Sequence, residues 1–68
     1  MGHKIFVADE HGGWRLDKFL THSLRNYSRS EIQANIVAGT ARVNGIVISK
    51  KGYVLAQGDR VEIEIAES

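Results

Sequence analysis

The sequence predicts an α+β fold in which two packed helices lie on a small, mostly antiparallel sheet. The first half of the chain contains two segments whose apolar residues recur at helical spacing. The second half contains an Asn-Gly dipeptide between apolar runs, which is typical of a β-hairpin, and ends in a segment that alternates apolar and charged residues. A chain of 68 residues is long enough for one such domain.

The predicted domain spans residues 4–66, and residues 1–3 are expected to be a disordered or vector-derived start. A first strand is predicted at Lys4–Val7, followed by a polar loop. Trp14 follows that loop and is expected to cover the core rather than to stack on a base. A first helix is predicted at 15–25, because one apolar stripe runs along it. The stripe consists of Leu16, Phe19, Leu20 and Leu24.

The second helix is predicted to begin after Ser28 and to end before Gly39. Ser28 can cap the helix, and Glu31 stands at the spacing of a capping box. Ile32 and Ile36 recur at helical spacing and are expected to face the core. Only residues 26–28 connect the two predicted helices, so we expect a tight helix–turn–helix unit.

A hairpin is predicted at 40–49, with Asn44 and Gly45 at its tip. Because the segment 46–48 is apolar throughout, the pattern does not decide which face of the hairpin is buried. The last strand is predicted at 60–65, with its valine and isoleucines pointing inward and its glutamates outward.

Composition and charge narrow the classes of function. The chain has no cysteine, no apolar run of membrane-spanning length and no secretory signal pattern, so we expect a cytoplasmic protein without a membrane partner. Residues 15–51 contain seven basic and two acidic side chains, which gives this segment a formal net charge of +5. The two flanks together contain two basic and six acidic side chains, which gives them a formal net charge of −4. Such a split indicates one positive face for a polyanion, or a solvated surface on which charges cluster by chance.

The sequence contains no recognisable active site. His3, His11 and His22 lack the spacing of metal ligands, and the Gly12-Gly13 pair lacks the Lys-Ser/Thr of a phosphate-binding loop. No metal, cofactor or catalytic activity is therefore expected of this chain.

Five motifs stand out along the chain. They are Arg15-Leu16-Asp17-Lys18-Phe19-Leu20, Tyr27-Ser28-Arg29-Ser30, Ile36 with Gly39, Arg42-Val43-Asn44-Gly45 and Gly58-Asp59-Arg60-Val61. In this order and spacing they resemble the S-four RNA-binding domain, also called the alpha-L motif, over about residues 4–65. The leader Lys4–Val7 and the block 13–20 look most like the N-terminal domain of large-subunit ribosomal RNA pseudouridine synthases.

The resemblance implies a module that binds structured RNA, ribosomal RNA in particular, through the second helix and the hairpin. Carried over by position, the implied RNA-binding residues are Arg15, Lys18, Ser28, Arg29, Ser30, Gln33, Arg42, Asn44, Gly45, Lys50 and Lys51. Gln33 and Ala34 stand where the family often has basic residues, so we expect weak, salt-sensitive binding. The resemblance further implies that the chain is covalently linked, in the full protein, to a pseudouridine synthase catalytic domain absent from this chain. A monomer is expected, because no large apolar patch in the sequence demands a partner.

Other interpretations remain open at this stage. The module could serve another RNA enzyme or a ribosome-associated protein, as a fragment or as a free-standing adapter. It could instead bind a protein by strand addition at the hairpin edge, with salt-insensitive contacts to an exposed side chain among residues 46–48. A sulfur-carrier-like fold is rejected, because that family needs a C-terminal Gly-Gly and this chain ends Ala66-Glu67-Ser68.

Overall fold

The computed structural model describes residues 2–65 as a four-stranded antiparallel sheet with two helices. In chain order the elements are β1 (Gly2–Val7), α1 (Leu16–Ser23), α2 (Arg29–Val37), β2 (Ala41–Val43), β3 (Ile46–Val47) and β4 (Arg60–Ile65). The strand order is β1-β4-β2-β3, and every neighbouring pair is antiparallel. The predicted α+β fold class is confirmed.

The hydrophobic core lies between the two helices and one face of the sheet. The predicted apolar stripe of α1 is buried along its whole length, and Ile32 and Ile36 are buried on α2. The sheet contributes alternate residues, because side chains of a strand point to opposite faces. These buried residues are Ala41, Val43, Val61, Ile63 and Ile65. The outer face of the sheet, which the helices do not cover, therefore carries Arg42 and the two glutamates of β4.

Strand β1 begins earlier than predicted. Gly2 pairs with Ile65 and His3 with Glu64, so β4 extends the ladder to residues that the sequence had assigned to a disordered start. The strand thus begins two residues before the predicted Lys4, whereas the domain bounds 4–66 stay a prediction. Residue 1 and residues 66–68, which include the predicted domain end, lie outside the described residues.

The hairpin turn has the backbone that its sequence demands. Asn44 and Gly45 have φ angles of 53° and 82°, the pair of positive values that a type I′ turn requires. Val43 and Ile46 are paired across the turn, yet Val43 is buried and Ile46 is 65% exposed. β3 is the edge strand, so both of its residues lie beyond the cover of the helices, and Val47 is also exposed.

The start of α2 is fixed by the predicted capping box. The Ser28 hydroxyl accepts a hydrogen bond from the Glu31 backbone N–H at 3.1 Å, and the Ser28 N–H donates to the Glu31 carboxylate at 3.0 Å. The backbone N–H of Ser28, and after it the Ser28 side chain, lower the pKa of the Glu31 carboxyl group from its ordinary value. The box sets the first turn of the helix and hence the direction of the side chains that follow it.

Replacing the capping serine tests this arrangement. We expect Ser28→Ala to lower the free energy of unfolding by about 1 kcal/mol, because an N–H of the first turn loses its acceptor. The matched control is Ser30→Ala, an exposed serine two residues further on. Urea denaturation of both variants measures the difference, and equal stabilities would contradict the role of the cap.

Candidate nucleic-acid interface

Asp17 is charged but fully buried, and it lies in the first turn of α1. Its Oδ1 accepts hydrogen bonds from the Lys18 N–H at 2.9 Å and lies 3.2 Å from the Arg15 Nε. Its Oδ2 accepts from the Gln33 Nε2 at 2.9 Å and from the Nη2 atoms of Arg15 and Arg29 at 3.3 and 3.4 Å. We call Arg15, Asp17, Arg29 and Gln33 the Asp17 cluster.

Local structure brings the members of the Asp17 cluster together. Arg15 is the residue before α1 and has an extended backbone, so its side chain can turn back to Asp17. Arg29 and Gln33 are one turn apart on α2 and therefore share the side of that helix that faces α1. The cluster thus joins the beginning of α1 to the first two turns of α2.

The environment keeps Asp17 ionised. Burial by itself raises the pKa of its carboxyl group, but the hydrogen bonds from Gln33 and Lys18, together with Arg15 and Arg29, lower it more. The pKa of Asp17 therefore lies below its ordinary value of 3.8. Near neutral pH the cluster holds two positive charges and one negative charge.

Both arginines of the Asp17 cluster remain open to solvent. The side chain of Arg15 is 50% exposed and that of Arg29 is 57% exposed, whereas the carboxylate between them has no exposure. A guanidinium group has five N–H donors, and the bonds to Asp17 use only some of them. The remaining donors can bind an anion, and guanidinium groups are well suited to phosphate.

Further basic residues flank the Asp17 cluster. The backbone N–H groups of Leu16 and Asp17 donate to the carbonyls of Tyr53 and Lys51 at 2.7 and 3.1 Å, so the loop 50–53 lies against the start of α1. Lys51 is exposed there, as is its neighbour Lys50. The sequence-predicted pair of lysines therefore lies at the same edge of the molecule as Arg15.

Lys18 is an exposed basic residue of α1 that follows Asp17 in the chain. Its ammonium group lies 4.9 Å from the centre of the Trp14 ring. Trp14 is half-buried, packs against the core and has the rings of His11 and His22 beside it at 4.8 and 5.3 Å between centroids. This agrees with the expectation that Trp14 covers the core.

Arg42 is separated from the Asp17 cluster. Ala41 and Val43 on either side of it point to the helices, so the Arg42 side chain lies on the outer face of the sheet. Its neighbours across the strands are Glu62 and Val47. Within residues 2–65, no carboxylate oxygen lies within 4 Å of its guanidinium group.

The hairpin tip and the first turn of α2 contain the other predicted residues. The Asn44 amide donates to Asp59 at 2.9 Å and accepts from the Arg60 N–H at 3.0 Å, so it holds the tip against the start of β4. Ser28 is engaged in the capping box, whereas Ser30 and Gly45 are exposed. Whether these residues contact RNA stays a prediction.

Asp17 is the residue whose importance the sequence analysis missed. The motif that contains Asp17 was recognised, but Asp17 was not among the predicted site residues. A signal was present, because Asp17, Leu20 and Leu24 stand at positions i, i+3 and i+7 and so share the buried stripe. An acid on such a stripe must be hydrogen-bonded, and the nearby arginines are its natural partners.

The described residues contain no metal-binding group and no membrane-spanning segment. Within residues 2–65 there is no set of three or more His, Asp or Glu side chains that could hold a metal ion. Neither α1 nor α2 has the length and apolar character that crossing a membrane requires.

Comparison with known proteins identifies the family. The profile of the S4 domain, the S-four domain of the sequence analysis, matches residues 14–61. An uncharacterized RNA pseudouridine synthase of Synechocystis is 41% identical over 61 residues, which cover 90% of this chain and 19% of that protein. An uncharacterized RNA pseudouridine synthase of Bacillus subtilis is 32% identical over 63 residues, which cover 93% of this chain and 20% of that protein. The chloroplastic RNA pseudouridine synthase 2 of Arabidopsis thaliana is 34% identical over 56 residues, which cover 82% of this chain and 13% of that protein.

The chain spans about a fifth or less of the length of these relatives. The similarity is confined to the S4 region, so it does not extend to the larger remainder of each protein.

Acid titration tests how Asp17 stabilises the fold. Because its pKa is lower in the folded chain than in the unfolded chain, its contribution is complete above pH 3.8 and is lost as the pH falls through the folded value. We expect Asp17→Asn to lower the free energy of unfolding by about 2–4 kcal/mol near neutral pH. Below pH 3.8 this difference from the wild type should shrink.

Urea titrations at a series of pH values between neutrality and the acid range measure this difference. The control is Asp9→Asn, which removes an exposed aspartate from the loop after β1. A difference for Asp17→Asn that does not change with pH would show that the ionised carboxylate is not what stabilises the fold.

Proposed function

Because the chain belongs to the S4 domain family, we propose that it binds structured RNA, and ribosomal RNA in particular. The observation that carries this proposal is the pair of half-exposed guanidinium groups held by the buried carboxylate of Asp17. The exposed lysines 18, 50 and 51 add positive charge around it. Such a surface matches the phosphate backbone of a nucleic acid, which supplies most of the affinity in complexes of this kind.

The RNA-binding surface of this proposal has a principal part and an outer part. The principal part is the Asp17 cluster with Lys18, Lys50 and Lys51. The outer part comprises the exposed serines at the start of α2, the hairpin tip and, on the outer face of the sheet, Arg42. Its proposed members are Ser28, Ser30, Arg42, Asn44 and Gly45.

A protein recognises folded RNA more readily through the shape and backbone of the RNA than through hydrogen bonds to its base edges. The deep groove of an A-form helix hides the base edges, so proteins recognise such RNA mainly through phosphates and ribose hydroxyls. The arginines and lysines of the principal part are suited to phosphate, whereas α2 offers Gln33 and Ala34 where further basic residues could have stood. We therefore expect only about three to five phosphates to be neutralised and the affinity of the isolated module to be modest.

The relatives suggest what the module serves. They are named RNA pseudouridine synthases, and the matched region is a small part of each. We propose that this domain docks a covalently linked pseudouridine synthase catalytic domain onto its RNA in the cytoplasm, and that it does so as a monomer without activity or cofactor of its own. The catalytic residues would belong to the linked domain.

One observation favours a second function, protein binding by strand addition. Ile46 and Val47 form the edge strand β3 and are 65% and 51% exposed. However, β3 has only two residues, so an added strand could form few backbone hydrogen bonds with it. Binding of this kind would be insensitive to salt and would be lost in Val47→Lys, whereas RNA binding should weaken steeply as salt rises.

Neutralising single arginines tests the proposed RNA surface. We expect Arg29→Gln to weaken binding to a ribosomal RNA stem-loop about 5- to 10-fold and to reduce the salt slope by about one, because one phosphate contact is lost. Arg42→Gln should weaken binding by a smaller factor, about 2- to 3-fold. The matched control is Arg25→Gln, an exposed arginine outside the proposed surface.

Fluorescence anisotropy with labelled RNA at low and moderate salt measures these effects. The wild type should prefer the stem-loop to a single strand of the same composition. If Arg25→Gln weakens binding as much as Arg29→Gln, the attraction is a general effect of charge and the proposed surface is wrong.

A further inference from the structure

We infer that the Asp17 cluster is a binding site for one phosphodiester of the RNA backbone, and that Asp17 is its positioning residue. This inference rests on the proposed function and adds to it a defined subsite. It also gives an acidic, buried side chain a role in binding an anion that it does not touch.

The first argument is the way in which the two arginines converge. The Nη2 atoms of Arg15 and Arg29 both lie against the same oxygen, Oδ2 of Asp17, at 3.3 and 3.4 Å. The two Nη2 atoms can therefore be no further apart than the sum of these two distances, although one residue belongs to the start of α1 and the other to the start of α2. Two guanidinium groups held so close together can bind the two free oxygens of one phosphodiester.

The second argument is the order of the hydrogen-bond lengths. The shortest contacts of the Asp17 carboxylate, both 2.9 Å, come from the neutral donors Lys18 N–H and Gln33 Nε2. The arginine nitrogens lie further away, at 3.2 to 3.4 Å. The neutral donors thus hold the carboxylate most closely, so its position in the fold does not depend on the arginines alone. Gln33 orients Asp17 instead of adding charge to the surface.

The third argument is charge. Two guanidinium groups and one carboxylate leave a net charge of +1 at the Asp17 cluster, which is the charge that one phosphodiester neutralises. Like charges on Arg15 and Arg29 would repel each other without the carboxylate between them. Asp17 therefore permits the close approach of the arginines in the free protein, before any phosphate is present.

The replacement Asp17→Asn separates two effects on RNA binding, namely the positioning of the two guanidinium groups and the net charge of the chain. It raises the formal net charge of the chain from +1 to +2, so the field alone would strengthen binding to RNA. Loss of positioning would weaken binding, because the guanidinium groups would have to be ordered by the phosphate itself. The two effects have opposite signs, and we expect the second to dominate, with about a 5- to 20-fold loss of affinity for the stem-loop at moderate salt.

The experiment is a double-mutant cycle on RNA affinity with Asp17→Asn and Arg29→Gln. If Asp17 acts through Arg29, Asp17→Asn should cost much less affinity in the Arg29→Gln background than in the wild type. A purely structural role of Asp17 would give the same loss in both backgrounds and would overturn the inference. Tighter binding by Asp17→Asn would overturn it as well.

A second variant keeps the test decisive if Asp17→Asn does not fold. Arg29→Lys preserves the charge and leaves Asp17 in place, but it removes the planar fork of donors. We expect it to lose about 5-fold or more in affinity, whereas Arg25→Lys should lose nothing. Equal affinity of Arg29→Lys and the wild type would mean that only charge matters and that no subsite exists.

A measurement without RNA distinguishes failure of this inference from failure of the proposed function. The ¹⁵N relaxation of the arginine Nε–H groups in the free wild type should show Arg15 and Arg29 ordered and the exposed Arg25 mobile. Mobile Arg15 and Arg29 would overturn the positioning role even if the wild type binds RNA. Ordered arginines in a protein that binds neither structured nor single-stranded RNA would overturn the proposed function and the phosphodiester subsite with it.

Discussion

The burial of one carboxylate is the constraint on which the arrangement of this domain depends. A charge removed from water costs several kcal/mol unless hydrogen bonds replace the lost solvent, and Asp17 obtains them from three directions. Its carboxylate accepts hydrogen bonds from the Lys18 N–H of its own helix, from Arg15 before that helix, and from Gln33 and Arg29 of α2. The packing of α1 on α2 is therefore coupled to a single side chain, and the backbone N–H of the same residue holds the basic loop through the Lys51 carbonyl.

The two surfaces of the domain differ in the way in which their charges are balanced. At the Asp17 cluster the positive charges are in excess and the single acid is hidden. On the outer face of the sheet, Glu62 is close to His3 at 3.2 Å and to Arg60 at 3.7 Å, and Arg42 lies beside it in the next strand. The sequence segregates basic from acidic residues along the chain, yet β2 and β4 are paired and bring Arg42 among the acids. For this reason the helix side, and not the sheet, is the stronger candidate for contact with a polyanion.

The features that the sequence predicted well are those set by neighbouring residues. The capping box of Ser28 and Glu31 and the positive φ angles of Asn44 and Gly45 follow from short-range chemistry, and the apolar stripe of α1 follows from helical spacing. Three features that were missed or left open depend on contacts distant in the chain. The pairing of Gly2 with Ile65 lengthens β1, the cover of the helices decides that Val43 is buried while Ile46 is not, and the approach of α2 gives Asp17 its partners. The spacing of Asp17 would have indicated its burial, but only the packed helices identify Gln33 and the arginines as its hydrogen-bond partners.

The pairing of β1 with β4 also fixes where the described chain enters and leaves the domain. Gly2 lies in the edge strand β1, and Ile65 lies opposite it in the neighbouring strand β4. The first and last described residues are therefore one interstrand spacing apart, about 5 Å, at one corner of the sheet. Because the domain extends 32 Å along its longest axis, strand pairing brings the two ends of the described chain much closer together than the size of the domain requires.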